Sequence, residues 1–373
     1  MNRLKIACVF GTRPEAIKMA PVIRALASRP EIFDVRTICT GQHRELIAPL
    51  TDWFELDVAV NMDVMTPNQG LNKLAGKLLI EFEALFSEEH FDGVIGQGDT
   101  TTVFTSALAA FHKRIPFFHV EAGLRTFDMK FPFPEEMNRV LVGRLASLHF
   151  APTDQAAGNL ASEGVTSDSI FMVGNTVIDA LNFTVDKLPA TSASDGRDSK
   201  LILVTAHRRE NFGEPLERIC NAIRRIAINH ENVRFAFPVH PNPNVRKVVD
   251  DRLRGLQNVD LMDPLPYPVL VDYLKRCDLV LTDSGGLQEE APALSKPVLV
   301  LREETERPEL VQLGGSILVG SSEALIYDSV AELLTNSIRY KQMVVGSSPY
   351  GDGHASQKIA EHVHAFFERS KTA

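Results

Sequence analysis

Short runs of Val, Ile, Leu and Phe recur along the chain, separated by longer stretches whose apolar positions return every three or four residues. The short runs predict strands at "LKIACVF", "FDVRTICT", "FDGVIGQ", "PFFHV", "SLHFAP" and "IFMVG". A second series follows at "KLILVTA", "VRFAFPV", "CDLVLTD", "KPVLVL" and "GSILVG". Longer stretches such as "EAIKMAPVIRALAS" and "EPLERICNAIRRIAINH" predict helices. Strands that are apolar throughout are buried on both faces, and with helices between them they form parallel sheets covered on each side. The expected fold class is therefore α/β, with parallel sheets. Residues 188–200, "LPATSASDGRDSK", are the most linker-like segment and split the chain into two α/β halves. Open parallel sheets bind ligands beyond the carboxyl ends of their strands. Two such domains facing each other are expected to hold the chemistry in an interdomain cleft.

At 373 residues the chain is long enough for two domains, each with its own core. Hydrophobic residues at 44% and charged residues at 23% match a soluble globular protein. A net charge of −9 argues against a nucleic-acid surface, which favours a basic excess, although a local basic pocket is compatible with it. The four cysteines, Cys8, Cys39, Cys220 and Cys277, are scattered, so neither a disulfide framework nor a structural zinc site is expected. The basic start "MNRLKIACVF" carries an apolar run too short for a signal peptide. No apolar run reaches membrane-spanning length. The expected location is the cytoplasm.

Polar residues stand where strands end. "GTRPEAIKMAP" follows the first strand: Gly11 permits a tight turn and Pro14 suits a helix start. Main-chain N–H groups there, with Arg13 and Lys18, make an anion site, or else an ordinary turn with surface charges. The stretch is neither a dinucleotide fingerprint nor a Walker loop. Asp99 in "QGDTTT" reads alone as a helix cap. Glu121 in "HVEAGLRT" comes directly after an apolar strand, where a carboxylate is costly unless it has a task. Glu135 and Glu136 in "FPFPEEMNR" fit a helix start, which favours acids, with Arg139 one turn on as a salt-bridge partner. In the second half, "LILVTAHRREN" supplies His207, Arg208 and Arg209, and "FAFPVHPNP" supplies His240; a lone histidine is more often structural. "LVLTDSGGLQEEAP" is the most specific motif. Its Ser284, Gly285 and Gly286 let backbone approach a phosphate at a helix start, with Glu290 one turn in, within reach of ribose hydroxyls. Acid–base groups beside a diphosphate site fit proton transfer coupled to cleavage of a sugar–phosphate bond.

"GTRPEAIKMAP", "QGDTTT", "HVEAGLRT", "FPFPEEMNR", "HRREN", "TDSGGLQEEAP", "TERPE" and "PYGDG" occur in this order. In them the chain resembles the bacterial non-hydrolysing UDP-N-acetylglucosamine 2-epimerases, from about residue 4 to about residue 360. The resemblance implies a glycosyltransferase-B-like fold of two Rossmann-like domains. Residues 1–172 would form the first, completed by a helix over 355–373, and residues 173–354 the second, UDP-binding one. It implies reversible conversion of UDP-GlcNAc to UDP-ManNAc by elimination of UDP to 2-acetamidoglucal and re-addition. No external cofactor or metal is implied, and neither nucleic acid nor membrane is an expected partner. A homodimer supplying ManNAc for surface polysaccharide would follow. By motif position Asp99, Glu121, Glu135 and His207 become catalytic, and Arg13, Lys18, Leu270, Ser284, Gly285, Gly286 and Glu290 become UDP contacts. Bacterial members bind a second, activating UDP-GlcNAc; the matching residues here are Gln42, His43, Gln69, Glu136, Arg208, Arg209 and His240. Two positions depart from the family. Leu270 stands where an aromatic residue often lies near the uracil, with Tyr267 the nearby ring that could compensate, and Asn68 replaces a common basic residue. The rival readings are a glycosyltransferase of the same fold using a UDP-sugar donor, a hydrolysing epimerase releasing ManNAc, and a catalytically silent nucleotide-sugar-binding regulator.

Overall fold

A computed structural model describes residues 3–41, 44–66, 69–189, 199–345 and 348–372 of the protein. Most of the linker-like segment thus lies outside the described residues. The chain forms two compact units, Met1–Ala180 with Tyr350–Ala373, and Leu181–Pro349. It passes from one to the other inside the helix Thr176–Lys187.

The first unit is built on seven strands: β1 (Leu4–Phe10), β2 (Phe33–Cys39), β3 (Val60–Asn61), β4 (Gly93–Gln97), β5 (Phe117–Val120), β6 (Leu148–Ala151) and β7 (Ile170–Met172). They pair in the order β3-β2-β1-β4-β5-β6-β7, all parallel. The second unit holds β8 (Lys200–Thr205), β9 (Val233–Pro238), β10 (Val259–Met262), β11 (Leu279–Thr282), β12 (Val298–Val300) and β13 (Ser316–Leu318). Their order is β10-β9-β8-β11-β12-β13, again all parallel. All eleven expected strands are present, at most two residues shorter at either end. Two were not expected. β3 is a two-residue edge strand, and β10 is an edge strand whose Asp260 faces solvent, so neither carries a continuous apolar run.

The central strands are buried on both faces because helices cover both. On one side of the first sheet Phe82, Phe86, Phe91 and Phe117 pack with Val94 and Val103. Against the other lies the helix Ala355–Thr372, whose Phe366 and Phe367 meet the ring of Phe118 edge-on at 5.3 and 5.9 Å. That helix is anchored by Asp179: its carboxylate accepts from the main-chain N of Ala355 (3.2 Å) and of Ser356 (2.8 Å) and from the Ser356 hydroxyl (2.5 Å). An acid at a helix start satisfies donors that the helix itself cannot. In the second unit Phe235, Phe237, Leu281 and Leu299 form the sheet side of a core closed by Ile219, Ile223 and Ile226.

Strand order reverses between β1 and β4 in the first sheet and between β8 and β11 in the second. At such switch points the two following connections leave in opposite directions and open a crevice beyond the carboxyl ends. The motif residues after β1, β4, β8 and β11 therefore stand where each sheet is open to a ligand.

Candidate active site

In the first unit the chain leaves β1 at Phe10 and enters the helix Arg13–Ala27 through a capping box, with Thr12 as cap and Pro14 in the first turn. Glu15 accepts from the main-chain N of Gly11 (2.9 Å) and of Thr12 (2.7 Å), and from the Thr100 hydroxyl (2.5 Å). Its burial pushes the carboxyl up, while the bonds from Thr100, Gly11 and Thr12 pull it down. In this turn, read as either an anion site or an ordinary turn, the N–H groups of Gly11 and Thr12 are occupied by the protein's own acid. Arg13 lies half-buried at the same helix start, and Lys18 is buried one turn further on.

Glu121 follows β5 directly, in the left-handed region at φ 60°. A non-glycine residue there carries strain on the order of 1–3 kcal/mol, which the surroundings must overrule. They do so by clamping the carboxylate. Lys18 Nζ lies 2.5 Å from Oε1, Asn175 Nδ2 donates to Oε1 at 2.9 Å, and Gln97 Nε2 donates to Oε2. The Glu121 side chain is only 7% exposed. Two residues on, Gly123 has φ 91°, and a Cβ there would lie 2.2 Å from the Ala156 carbonyl oxygen, so the turn admits no side chain.

Asp99 is not the helix cap that its position suggests. Thr100 caps the helix Thr101–His112 through the main-chain N of Val103. Asp99 instead pairs with Arg139 Nη2 from the helix Glu135–Leu145. Burial pushes the Asp99 carboxyl up, Arg139 pulls it down, and the charge of Glu121 pushes it up again. Arg139 Nη1 also lies 3.2 Å from Glu136 Oε2, as the spacing predicts. Glu136 is buried, and its Oε1 accepts from the main-chain N of Thr126 and of Phe127, both at 3.0 Å. Glu135 sits half-buried at the first position of that helix. Asp99 and Glu121 are thus brought near each other by adjacent strands, with Lys18 and Arg139 as their counter-ions.

In the second unit the organising group is Asp283, fully buried after β11, which the sequence reading did not single out. Its Oδ2 accepts from the main-chain N of His207 and of Arg208, each at 2.8 Å, and from Asn211 Nδ2 at 2.9 Å. Its Oδ1 lies 3.2 Å from His207 Nδ1. The burying protein, with Arg208 and His240, holds the His207 imidazole below its ordinary value, and Asp283 pulls it up. The ring is 41% exposed at its outer edge and lies parallel to His240, with centroids 6.3 Å apart. A neutral imidazole of this kind can accept a proton.

Ser284 begins the helix Gly285–Ala293 without a capping bond from its side chain. A Cβ on Gly285 would lie 2.8 Å from Arg307 Nη1, so this glycine lets a guanidinium rest against the helix start. Arg307 Nε donates to buried Glu289 at 2.7 Å. The result is a helix N-terminus with an added cation, suited to an anion. Glu290 is buried and accepts from the Tyr267 hydroxyl at 2.6 Å. Tyr267 is itself only 3% exposed, so its ring offers no stacking face to compensate for Leu270, which is half-buried on the helix Tyr267–Arg276. Gln97, Asn175, Asp283 and Arg307 contact the candidate groups but were not among the expected residues. All but Asn175 lay inside motifs already quoted, and their partners lie far away in sequence.

The second set of residues is only partly placed. Gln42, His43 and Asn68, and the side chain of Arg209, lie outside the described residues. Gln69 Oε1 accepts from the main-chain N of Thr66 at 2.9 Å, while its Nε2 is buried without a hydrogen-bond partner among the described residues. Arg208 Nε is likewise buried without one, and His240 Nδ1 accepts from the main-chain N of Asn242 at 3.2 Å. Among the described residues no group of three or more His, Cys, Asp or Glu is placed to hold a metal ion, and no helix is long and apolar enough to cross a membrane.

Two Rossmann-like units with these parallel sheets define the glycosyltransferase-B-like class, and solved structures narrow it. The structure of a UDP-GlcNAc 2-epimerase from Neisseria meningitidis bound to UDP-GlcNAc matches with a TM-score of 0.90 at 42% identity, over 96% of this chain and 99% of that one. That of a Methanocaldococcus jannaschii UDP-GlcNAc 2-epimerase in complex with UDP-GlcNAc and UDP matches with a TM-score of 0.81 at 34% identity, over 97% and 100%. The UDP-N-acetylglucosamine 2-epimerase of Yersinia pestis is 46% identical over 366 residues, 95% of this chain and 97% of that protein. The family profile described as UDP-N-acetylglucosamine 2-epimerase matches residues 24–364. The chain belongs to the UDP-N-acetylglucosamine 2-epimerase family.

One electrostatic consequence lies beside the helix Gly285–Ala293. Burial would raise Glu306, but Arg307 and Arg302 outweigh it and hold the carboxyl down to about 2. A folded-state value below the ordinary 4.5 stabilises the fold above that pH, and the contribution is lost as pH falls through about 2. Urea unfolding followed from pH 6 to pH 2 should therefore show a midpoint that falls more steeply for the wild type than for Glu306→Gln. Parallel curves would mean that the pairing contributes nothing.

Proposed function

We propose that this protein interconverts UDP-GlcNAc and UDP-ManNAc by non-hydrolytic elimination and re-addition of UDP. The C2 proton of the sugar is not adjacent to a carbonyl and is barely acidic. Breaking the anomeric C1–O bond builds positive charge on C1, and the proton at C2 then passes to a carboxylate as the C1–C2 double bond of 2-acetamidoglucal forms. In the return step a β-phosphate oxygen of UDP bonds to C1 and a proton is delivered to the opposite face of C2. Asp99, Glu121, Glu135 and His207 are the proton-moving set. Arg13, Leu270, Ser284, Gly285, Gly286 and Glu290 hold UDP, with Arg307 added at the helix start and Lys18 serving Glu121 directly. The observation that carries this reading is Glu121. It is a strained, nearly buried carboxylate held by three donors, far more construction than a surface acid requires. The charge of Glu121 raises Asp99, so the two acids are coupled and the roles belong to the pair. The product would supply ManNAc for surface polysaccharide, and the enzyme would act as a cytoplasmic homodimer without an external cofactor.

A second UDP-GlcNAc acting as an activator is also proposed. It is supported by the amide nitrogen of Gln69 and the Nε of Arg208, buried atoms with no hydrogen-bond partner among the described residues, which a ligand would satisfy. The remaining residues of that site would be Gln42, His43, Glu136, Arg209 and His240.

Three outcomes are expected. Incubation with UDP-GlcNAc alone in D2O, with EDTA and no NAD, should give UDP-ManNAc carrying deuterium at C2. Free ManNAc would identify a hydrolase, and no turnover a transferase or a binder. Glu121→Gln, which keeps shape but removes the base, should lower kcat by about 10²–10⁴-fold in a folded protein; near-normal turnover would make Glu121 structural. Pure UDP-ManNAc should react only after a lag, abolished by trace UDP-GlcNAc. Immediate turnover unaffected by that trace would exclude the activator site.

A further inference from the structure

Asn175 joins three parts of the first unit at one side chain. It stands between β7 and the helix Thr176–Lys187 and is 2% exposed. Its Oδ1 accepts from the main-chain N of Val177 at 3.0 Å, and its Nδ2 donates to Glu121 Oε1 at 2.9 Å. Its own main-chain N donates to the Tyr350 carbonyl at 2.7 Å. Val177 N–H can only donate, so the amide oxygen must face it and the NH2 group must face Glu121. The backbone behind cannot give way. A Cβ on Gly174 would lie 3.1 Å from Gly351 Cα, and one on Gly351 would lie 3.1 Å from Gly174 Cα.

Capping alone does not call for an amide, because Ser, Thr or Asp would cap this helix as well. Only Asn supplies the capping oxygen and, on the same rigid group, a donor aimed at the carboxylate. We propose that Asn175 is a positioning residue for the epimerisation, fixing the orientation of Glu121 and favouring its ionised form. The inference rests on the functional reading above and adds a group that touches no substrate. Glu121 is faced by Lys18 from the helix Arg13–Ala27, by Gln97 from β4, and by Asp99 with its partner Arg139. His119 faces it from β5. Burial lowers His119 to about 3, so it stays neutral through the working range. Among the described residues Lys18 places a positive charge directly on Glu121, and Asn175 supplies a neutral donor to the same oxygen.

The test is Asn175→Asp in the full-length protein, compared with Asn175→Ser and wild type. The first substitution keeps the capping oxygen and replaces the donor with a second carboxylate oxygen against Glu121. Two carboxylates in contact hold a shared proton, so the acid limb of the kcat–pH profile should move up by about one unit or more. On the acid side of the displaced limb kcat should then fall, by about tenfold for a displacement of one unit, and it should recover at higher pH, with KM within about twofold of wild type. Asn175→Ser should lose kcat without that displacement. Asn175→Asp, which buries a second carboxyl, should lose thermal stability yet stay folded at the assay temperature; should it not fold, Asn175→Ser decides, and a kcat for that variant equal to wild type overturns the proposal. Deuterium incorporation at C2 by wild type is measured in parallel. Wild type without turnover overturns the functional reading and this inference with it. Wild-type turnover beside an unshifted profile for Asn175→Asp overturns this inference alone.

Discussion

A carboxylate shut away from water must be compensated, and much of the first unit follows from compensating Glu121. Its side chain is 7% exposed, and removing one partner of a buried ion pair typically costs about 3–5 kcal/mol. Lys18 must therefore stand on a helix fixed against the sheet, and the capping box of Thr12 and Glu15 fixes that helix's start. Gln97 must end the neighbouring strand, which the register of β4 with β5 ensures by pairing Gln97 with Val120. Asn175 must arrive from the far edge of the sheet. The same arrangement raises Asp99, because a second carboxyl beside Glu121 ionises less readily, while Arg139 keeps the pair from becoming uncompensated negative charge.

The second unit solves a related problem with different parts. Asp283 is fully buried, yet Oδ2 alone takes three donors, two of them the main-chain N–H groups of His207 and Arg208. The turn after β8 is thus tied to the turn after β11, and the imidazole lies beside the same acid that shapes its backbone. Two residues further along β11's exit, the helix start is kept open by Gly285 and made more positive by Arg307. Acid, imidazole and helix-start amides are therefore parts of one turn structure. A change to any of them is expected to disturb the others, so measured effects there should not add.

The strands were legible because each central run is apolar on both faces, a pattern few other structures produce. β3 and β10 were not, since an edge strand needs only one buried face and theirs is brief. The candidate residues were legible by position, as polar side chains placed where buried runs stop. Their engagements were not. Thr100 rather than Asp99 caps its helix. Glu15 takes the amides of the turn read as either an anion site or an ordinary turn, and Tyr267 is buried against Glu290 rather than offered as a stacking face.

Local periodicity and residues close together in the chain were enough to settle the α/β class, the eleven apolar strands and the ordered motifs that carry the family. Which acid meets which cation was settled only on folding. Lys18 and Glu121 are 103 positions apart, Asn175 and Glu121 54, and Asn211 and Asp283 72. Parallel strands return through helices, so residues at adjacent strand ends are always distant in sequence, and their pairing follows from strand order and register.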